Sequence, residues 1–197
     1  MRRRFVSSLI CGALAIGVLT SCGSDKAQGT GEFATVVATA NTPGADVNSS
    51  VAVCGPPIVP NTTPDSATYT INSTVYGGSS TTILPSDLII DKITLTLIPA
   101  NTVTPALPLG FATQYPTSGQ RVAPGGSVSI PVVVASSDLK NFLRTTVTPQ
   151  ALDCSAQGLV TTYTYRVKVS FEALEVNTNR VATITPPGYV NLIFTDQ

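Results

Sequence analysis

The sequence predicts an all-β fold, an antiparallel sandwich of about 7–9 strands with one short helical turn, and three observations carry that prediction. Charged residues make up only 11% of the chain, far below the usual quarter, so long amphipathic helices lack the Glu, Lys and Arg faces they need. Thr, Ser, Val and Ala dominate instead, and 15 Gly and 15 Pro punctuate them at short intervals, as turn-rich β domains require. Finally, several segments alternate apolar and polar residues with a period of two, the pattern of a strand with one wet face.

Taken in order, Phe33 to Ala40 and Val47 to Cys54 are the first strands, separated by the turn residues Thr42-Pro43-Gly44. Ala67 to Tyr76 follows and ends at Gly77-Gly78. From Leu88 to Ile98, Ile93, Leu95 and Leu97 face one way while Lys92, Thr94 and Thr96 face the other. The stretch from Pro99 to Gly126 reads as a long, partly extended connection with a short strand at Gly110 to Tyr115. Val128, Ile130, Val132 and Val134 then share a face. Pro131 has no N–H to give a ladder, which places that strand at an edge or on a bulge. Ser136 or Ser137 can cap a short helix in which Leu139, Phe142 and Leu143 recur at helical spacing, with Asp138 in the first turn.

The clearest pattern lies in the last third. Tyr163, Tyr165, Val167, Val169 and Phe171 point to one face; Thr162, Thr164, Arg166, Lys168 and Ser170 point to the other. The apolar phase then moves to Leu174 and Val176, which predicts a bulge near Glu172-Ala173. Asn177-Thr178-Asn179 turns the chain back, and Pro186-Pro187-Gly188 interrupts the returning strand before Tyr189 to Thr195. This order of elements resembles the last half of an immunoglobulin-like or fibronectin-like sandwich. It departs from the antibody pattern in having no Trp and in the placing of its cysteines.

At the other end, Arg2, Arg3 and Arg4 precede an apolar stretch from Phe5 to Val18, too short to span a membrane comfortably. Leu19-Thr20-Ser21-Cys22 follows. The tetrapeptide resembles the lipobox of bacterial lipoproteins, in which the cysteine thiol carries a diacylglyceryl group and the preceding peptide is removed. That resemblance implies a signal peptide over residues 1–21, a lipidated Cys22 with a flexible tether over 22–32, and a β-sandwich domain over 33–197. It also implies attachment to the membrane through the lipid, as two or more acyl chains hold stably where one does not. Gly23, where enteric lipoproteins retained at the inner membrane carry Asp, favours the outer membrane. Arg2-Arg3-Arg4-Phe5-Val6 also loosely matches the twin-arginine export pattern, so the export route stays open.

Without Arg2, Arg3 and Arg4 the chain keeps eight basic residues against 11 acidic ones. No basic stripe exists to neutralise a phosphate backbone, so nucleic acid is excluded as an expected partner. With lipid on Cys22, Cys54 and Cys154 remain as an even pair in an oxidising compartment and are expected to form a disulfide; free thiols or a metal pair are the alternatives. A bridge across their 100 positions would stabilise the fold by about 4–5 kcal/mol in the chain-entropy model.

Chemistry is most sharply bounded by histidine, of which the sequence has none. That removes Ser-His-Asp and Cys-His catalysis, His-ligated zinc or iron, and c-type haem attachment. Carboxylate pairs are the remaining catalytic option, and Glu172 with Glu175 is the best of them, although both read as a solvated hairpin end. Asp87 and Asp91 lack calcium-loop spacing, and neither Gly77-Gly78 nor Gly125-Gly126 is followed by the Lys-Ser/Thr of a phosphate loop. No catalytic, cofactor or metal residues are therefore assigned. Tyr76, Phe111, Tyr115 and Tyr189 lie at or near turns, and Tyr115 and Tyr189 are the candidates for a binding surface. The expectation is a non-catalytic envelope module, lipid-anchored, that binds or braces an envelope protein. A surface carbohydrate-binding or adhesive module is the alternative, and a carboxylate-dependent hydrolase the third reading.

Overall fold

In the computed structural model, which describes residues 30–53, 59–76, 84–111, 113–114, 119–147 and 162–195, the alternating segments pair into two main sheets. The strands are β1 Thr30–Glu32, β2 Val36–Asn41, β3 Val47–Ser49, β4 Ala52–Val53, β5 Val59–Pro60, β6 Asp65–Val75 and β7 Leu88–Pro99. They continue as β8 Thr113–Gln114, β9 Gln120–Val122 and β10 Ser127–Ala135, then, after helix α1 (Ser137–Phe142), as β11 Tyr163–Glu175, β12 Arg180–Ile184 and β13 Val190–Phe194. One sheet runs β1-β2-β6-β10. The other runs β3-β13-β11-β7-β8, with β12 also beside β11 and β9 also beside β7.

The protein is thus all-β and sandwich-like, with more strands than the expected seven to nine because short pieces fill the sheet edges. Pro186-Pro187-Gly188 accounts for one of them: it splits a single edge into β12, opposite Phe171–Glu175, and β13, opposite Tyr163–Val167. Pairing is antiparallel throughout the two sheets except for β3, which runs parallel to β13. The short strand expected at Gly110 to Tyr115 is there as β8, preceded by a 3-10 turn at Leu109–Phe111.

Period-two burial builds the core from both sheets. On β11 Tyr163, Tyr165, Val167, Val169 and Phe171 are all buried, and on β10 Ile130, Val132 and Val134 are buried too. Tyr69 of the first sheet meets Phe171 of the second edge-on, with ring centroids 5.6 Å apart, an arrangement that adds to the area they bury. Tyr165 packs edge-on against Phe194 at 6.1 Å and donates its hydroxyl to the Pro105 carbonyl at 2.8 Å.

Pro131 lies on β10, an edge strand, as its missing N–H required. The Val133 carbonyl accepts from the Gln114 side chain in the other sheet, so it points away from β6. Residues two apart point the same way, which turns the donorless nitrogen of Pro131 to that free edge. Helix α1 starts where expected: the Ser136 side chain accepts from the Leu139 N–H at 3.2 Å. Its Leu139 is buried with Leu143 against the core.

Two expectations are corrected. Residues 30–32, assigned to the tether, are strand β1, paired with Val37–Thr39 of β2. The bulge lies across from the expected place: Glu172 pairs with Lys92 and Ala173 with Ile90, leaving Asp91 of β7 as the extra residue. β11 therefore never changes phase, and its alternation runs on to Ala173 and Glu175, both buried. A carboxylate occupies the last interior position that the apolar pattern seemed to have vacated.

Candidate functional site

Arg166 and Lys168 are the two cations that β11 itself presents on its wet side; Lys92 of β7, opposite Glu172, stands farther along the same sheet face. Both β11 cations are exposed, and a period of two sets them on one face about 7 Å apart. Ile98 stands directly opposite Arg166 on β7, and Asn191 stands opposite it on β13. Beside Lys168 the edge has no strand, because β12 has ended and β13 has not begun. Residues 185–189 cross that gap instead.

Their conformation follows from composition. Pro186 is buried and anchors the crossing, while Gly188 adopts φ +84°, a left-handed conformation that other residues take at a cost. The Thr42 hydroxyl donates to the Pro187 carbonyl and ties the crossing to the β2–β3 connection. Tyr189, 43% exposed, is thereby laid against Arg166, whose guanidinium carbon is 4.9 Å from the ring centroid. That distance suits a cation–π contact.

The result is a cleft of ≈ 400 Å³ lined by Ile98, Arg166, Lys168, Thr185, Pro186, Gly188 and Tyr189, within the size range of small-ligand sites. Among the described residues, the ion pairs are Arg121–Asp87 and Lys140–Asp65, so neither cation of the cleft has a carboxylate partner there. Asp46, just before β3, instead accepts from Asn191 Nδ2 at 2.9 Å. The arrangement offers two positive charges, an aromatic ring, hydroxyls on Thr185 and Tyr189, and an apolar wall at Ile98.

Of the residues singled out from sequence, Tyr189 is in this cleft. Tyr115, Cys22, Cys54 and Cys154 lie outside the described residues. Phe111 packs on Phe142 at 5.5 Å, a rim contact, and Tyr76 is exposed at the opposite end of β6. Glu172 and Glu175 are not brought together: three positions along a strand put them on opposite faces, Glu172 in solvent and Glu175 in the interior. Asp87 is engaged by Arg121. Sequence reasoning recorded Arg166 and Lys168 only as the wet face of a strand. The signal available was the Pro-Pro-Gly interruption, which had to fall on the edge of the strand that bears them.

Glu175 forms a second polar centre. Its Oε2 accepts the Ala34 N–H and its Oε1 the Thr35 N–H, each at 2.9 Å, and the hydroxyls of Thr35 and Thr178 also donate to it. Burial alone would push its carboxyl up, but these hydrogen bonds hold it below the ordinary carboxylate range. This is a structural tie between the β1–β2 bend and the β11–β12 turn.

No family model and no curated protein matches this chain.

Proposed function

We propose that this protein is a lipid-anchored cell-envelope protein whose β-domain is a non-catalytic binding module, working through the cleft beside Tyr189. The observation that carries the reading is the pair Arg166 and Lys168, both exposed and without a carboxylate partner among the described residues, with the ring of Tyr189 against Arg166. Two like charges side by side on a sheet repel each other unless something anionic joins them. Anchoring rests on the triple arginine, the short apolar stretch and Leu19-Thr20-Ser21-Cys22, and outer-membrane placement on Gly23.

An immunoglobulin-like sandwich is the finer fold we infer. Strands β2, β6 and β10 match the A-B-E order of one such sheet, and β7, β11 and β12/β13 the C-F-G order of the other, in the same chain sequence. The missing Trp is the departure. Such domains use strand edges and end loops to engage partners, and an envelope protein is the partner proposed. Carbohydrate binding is a second reading, favoured by the exposed ring of Tyr189.

A photo-crosslinking residue in place of Ile98 tests the binding surface in intact cells. Recovery of a defined envelope component is the expected result; the same yield from a crosslinker at Thr74, an exposed position of β6, would sink the assignment. Cys22→Ala should abolish fatty-acid incorporation and release the protein from membranes.

A further inference from the structure

The chemistry of the cleft is narrower than binding in general. We propose that it takes an anionic saccharide, a sugar ring carrying a carboxylate or phosphate, with the anion held between Arg166 and Lys168 and the ring against Tyr189 and Ile98. This rests on the reading of the domain as a binding module.

The anion half follows from how Arg166 is held. The guanidinium carbon of Arg166 lies 4.9 Å from the Tyr189 ring centroid, and with no carboxylate partner among the described residues its planar fork of N–H donors can grip two oxygens of an anion at once. A guanidinium parked on a ring also loses less freedom on binding than a free one. Lys168, on the same face about 7 Å along the strand, supplies a second charge that follows the ligand with its flexible stem. Asp46 forms no ion pair with either cation among the described residues; its Oδ1 accepts from Asn191 Nδ2.

The sugar half follows from the rest of the lining. A pyranose has one face of C–H groups and a rim of hydroxyls. The aromatic ring of Tyr189 and the side chain of Ile98, 43% and 39% exposed, offer apolar contact to the first, and the Thr185 and Tyr189 hydroxyls offer hydrogen bonds to the second. A peptide main chain is served poorly. It needs a free row of backbone donors and acceptors, and here the crossing contributes Pro186 and Pro187, which have no N–H. The central strand below is paired with β7 from Tyr165 to Glu175 on its other side. A cleft of ≈ 400 Å³ suits a short saccharide end rather than a polymer lying across the sheet.

The test is calorimetric titration of the full-length protein in detergent. Trigalacturonate and glucose 6-phosphate distinguish the two sources of charge; methyl-esterified trigalacturonate, glucose, inorganic phosphate and hexaglutamate are the controls. Saturable one-to-one binding of at least one charged sugar is expected, about tenfold or more tighter than its neutral or sugar-free counterpart and weakened by added salt. Arg166→Gln, Lys168→Gln and Tyr189→Ala should each loosen it about tenfold while melting as the wild type does. Binding of the neutral sugars or of hexaglutamate as tightly as the charged sugars overturns the proposal, as does unchanged affinity in all three variants. Absence of any saccharide binding overturns it as well; if the Ile98 crosslinker still captures an envelope component, the broader binding-module reading survives that failure.

Discussion

Glu175 Oε1 accepts the Thr35 N–H at 2.9 Å, joining residues 140 positions apart in the chain. The carboxylate is 0% exposed and holds the bend between β1 and β2. A buried charge is tolerated there because donors converge on it from the β1–β2 bend and the β11–β12 turn.

Replacing Glu175 with Gln should destabilise the domain by about 2–4 kcal/mol. The amide turns one acceptor oxygen into a donor that faces other donors. Urea denaturation of the variant measures the loss, and a change below about 0.5 kcal/mol would refute the account of the tie.

The same carboxyl sets an acid limit. Its pKa in the fold lies below the ordinary 4.5, so the unfolded chain binds its proton first as pH falls. The stabilisation is therefore complete above pH 4.5 and is lost progressively below it. Glu175→Gln should flatten that acid limb of a stability-against-pH curve, and an unaltered limb would assign it to other acids.

Tyrosine defines the alkaline side. Burial pushes Tyr69 up from 10 to about 12, and Tyr165 further still, with Tyr163 adding to it. A raised value in the fold means stability intact below pH 10 and lost as pH rises towards 12. Phenolate absorbance should show these two hydroxyls titrating only with unfolding, and Tyr69→Phe should shift the alkaline midpoint upward.

Gly31 sits where the two sheets approach at one side. A Cβ there would come 2.7 Å from Ile184 Cγ1 and 3.4 Å from the Thr183 carbonyl. Since Ile184 is buried, it has little room to yield. Gly31→Ala should cost about 1–3 kcal/mol and speed hydrogen exchange of the β1 amides, whereas Gly44→Ala, with open space around it, should be nearly neutral.

Lys140 is a buried ammonium, 1% exposed, whose Nζ lies 2.7 Å from Asp65 Oδ2 and donates to the Thr63 carbonyl. Asp65→Ala should cost about 2–3 kcal/mol, less than the full cost of orphaning a buried charge because Asp65 itself is partly solvated. Lys140→Met, which removes the charge and keeps the volume, should change stability by less than about 1 kcal/mol. Thermal denaturation of the two single variants and the double variant separates pairing from packing.

Much of this was legible locally. A strict alternation from Tyr163 named the central strand and its buried face, Pro131 an edge or a bulge, and Ser136 or Ser137 the start of a helix, because each depends on backbone geometry within a few residues. Glu175 was misread for the same reason. Leu174 and Val176 looked like the continuing apolar face, and nothing nearby in sequence told that donors at Ala34, Thr35 and Thr178 would converge on a carboxylate.

Composition and periodicity alone were enough to settle the all-β class, the two-faced strands and the absence of histidine chemistry, since those follow from residue types and their spacing. Which cations share a cleft, which acid goes inside and which strand carries the bulge were decided only by tertiary pairing. Charge and solvation energies depend on distance in space, and the fold alone brings Tyr189 to Arg166 and Thr35 to Glu175.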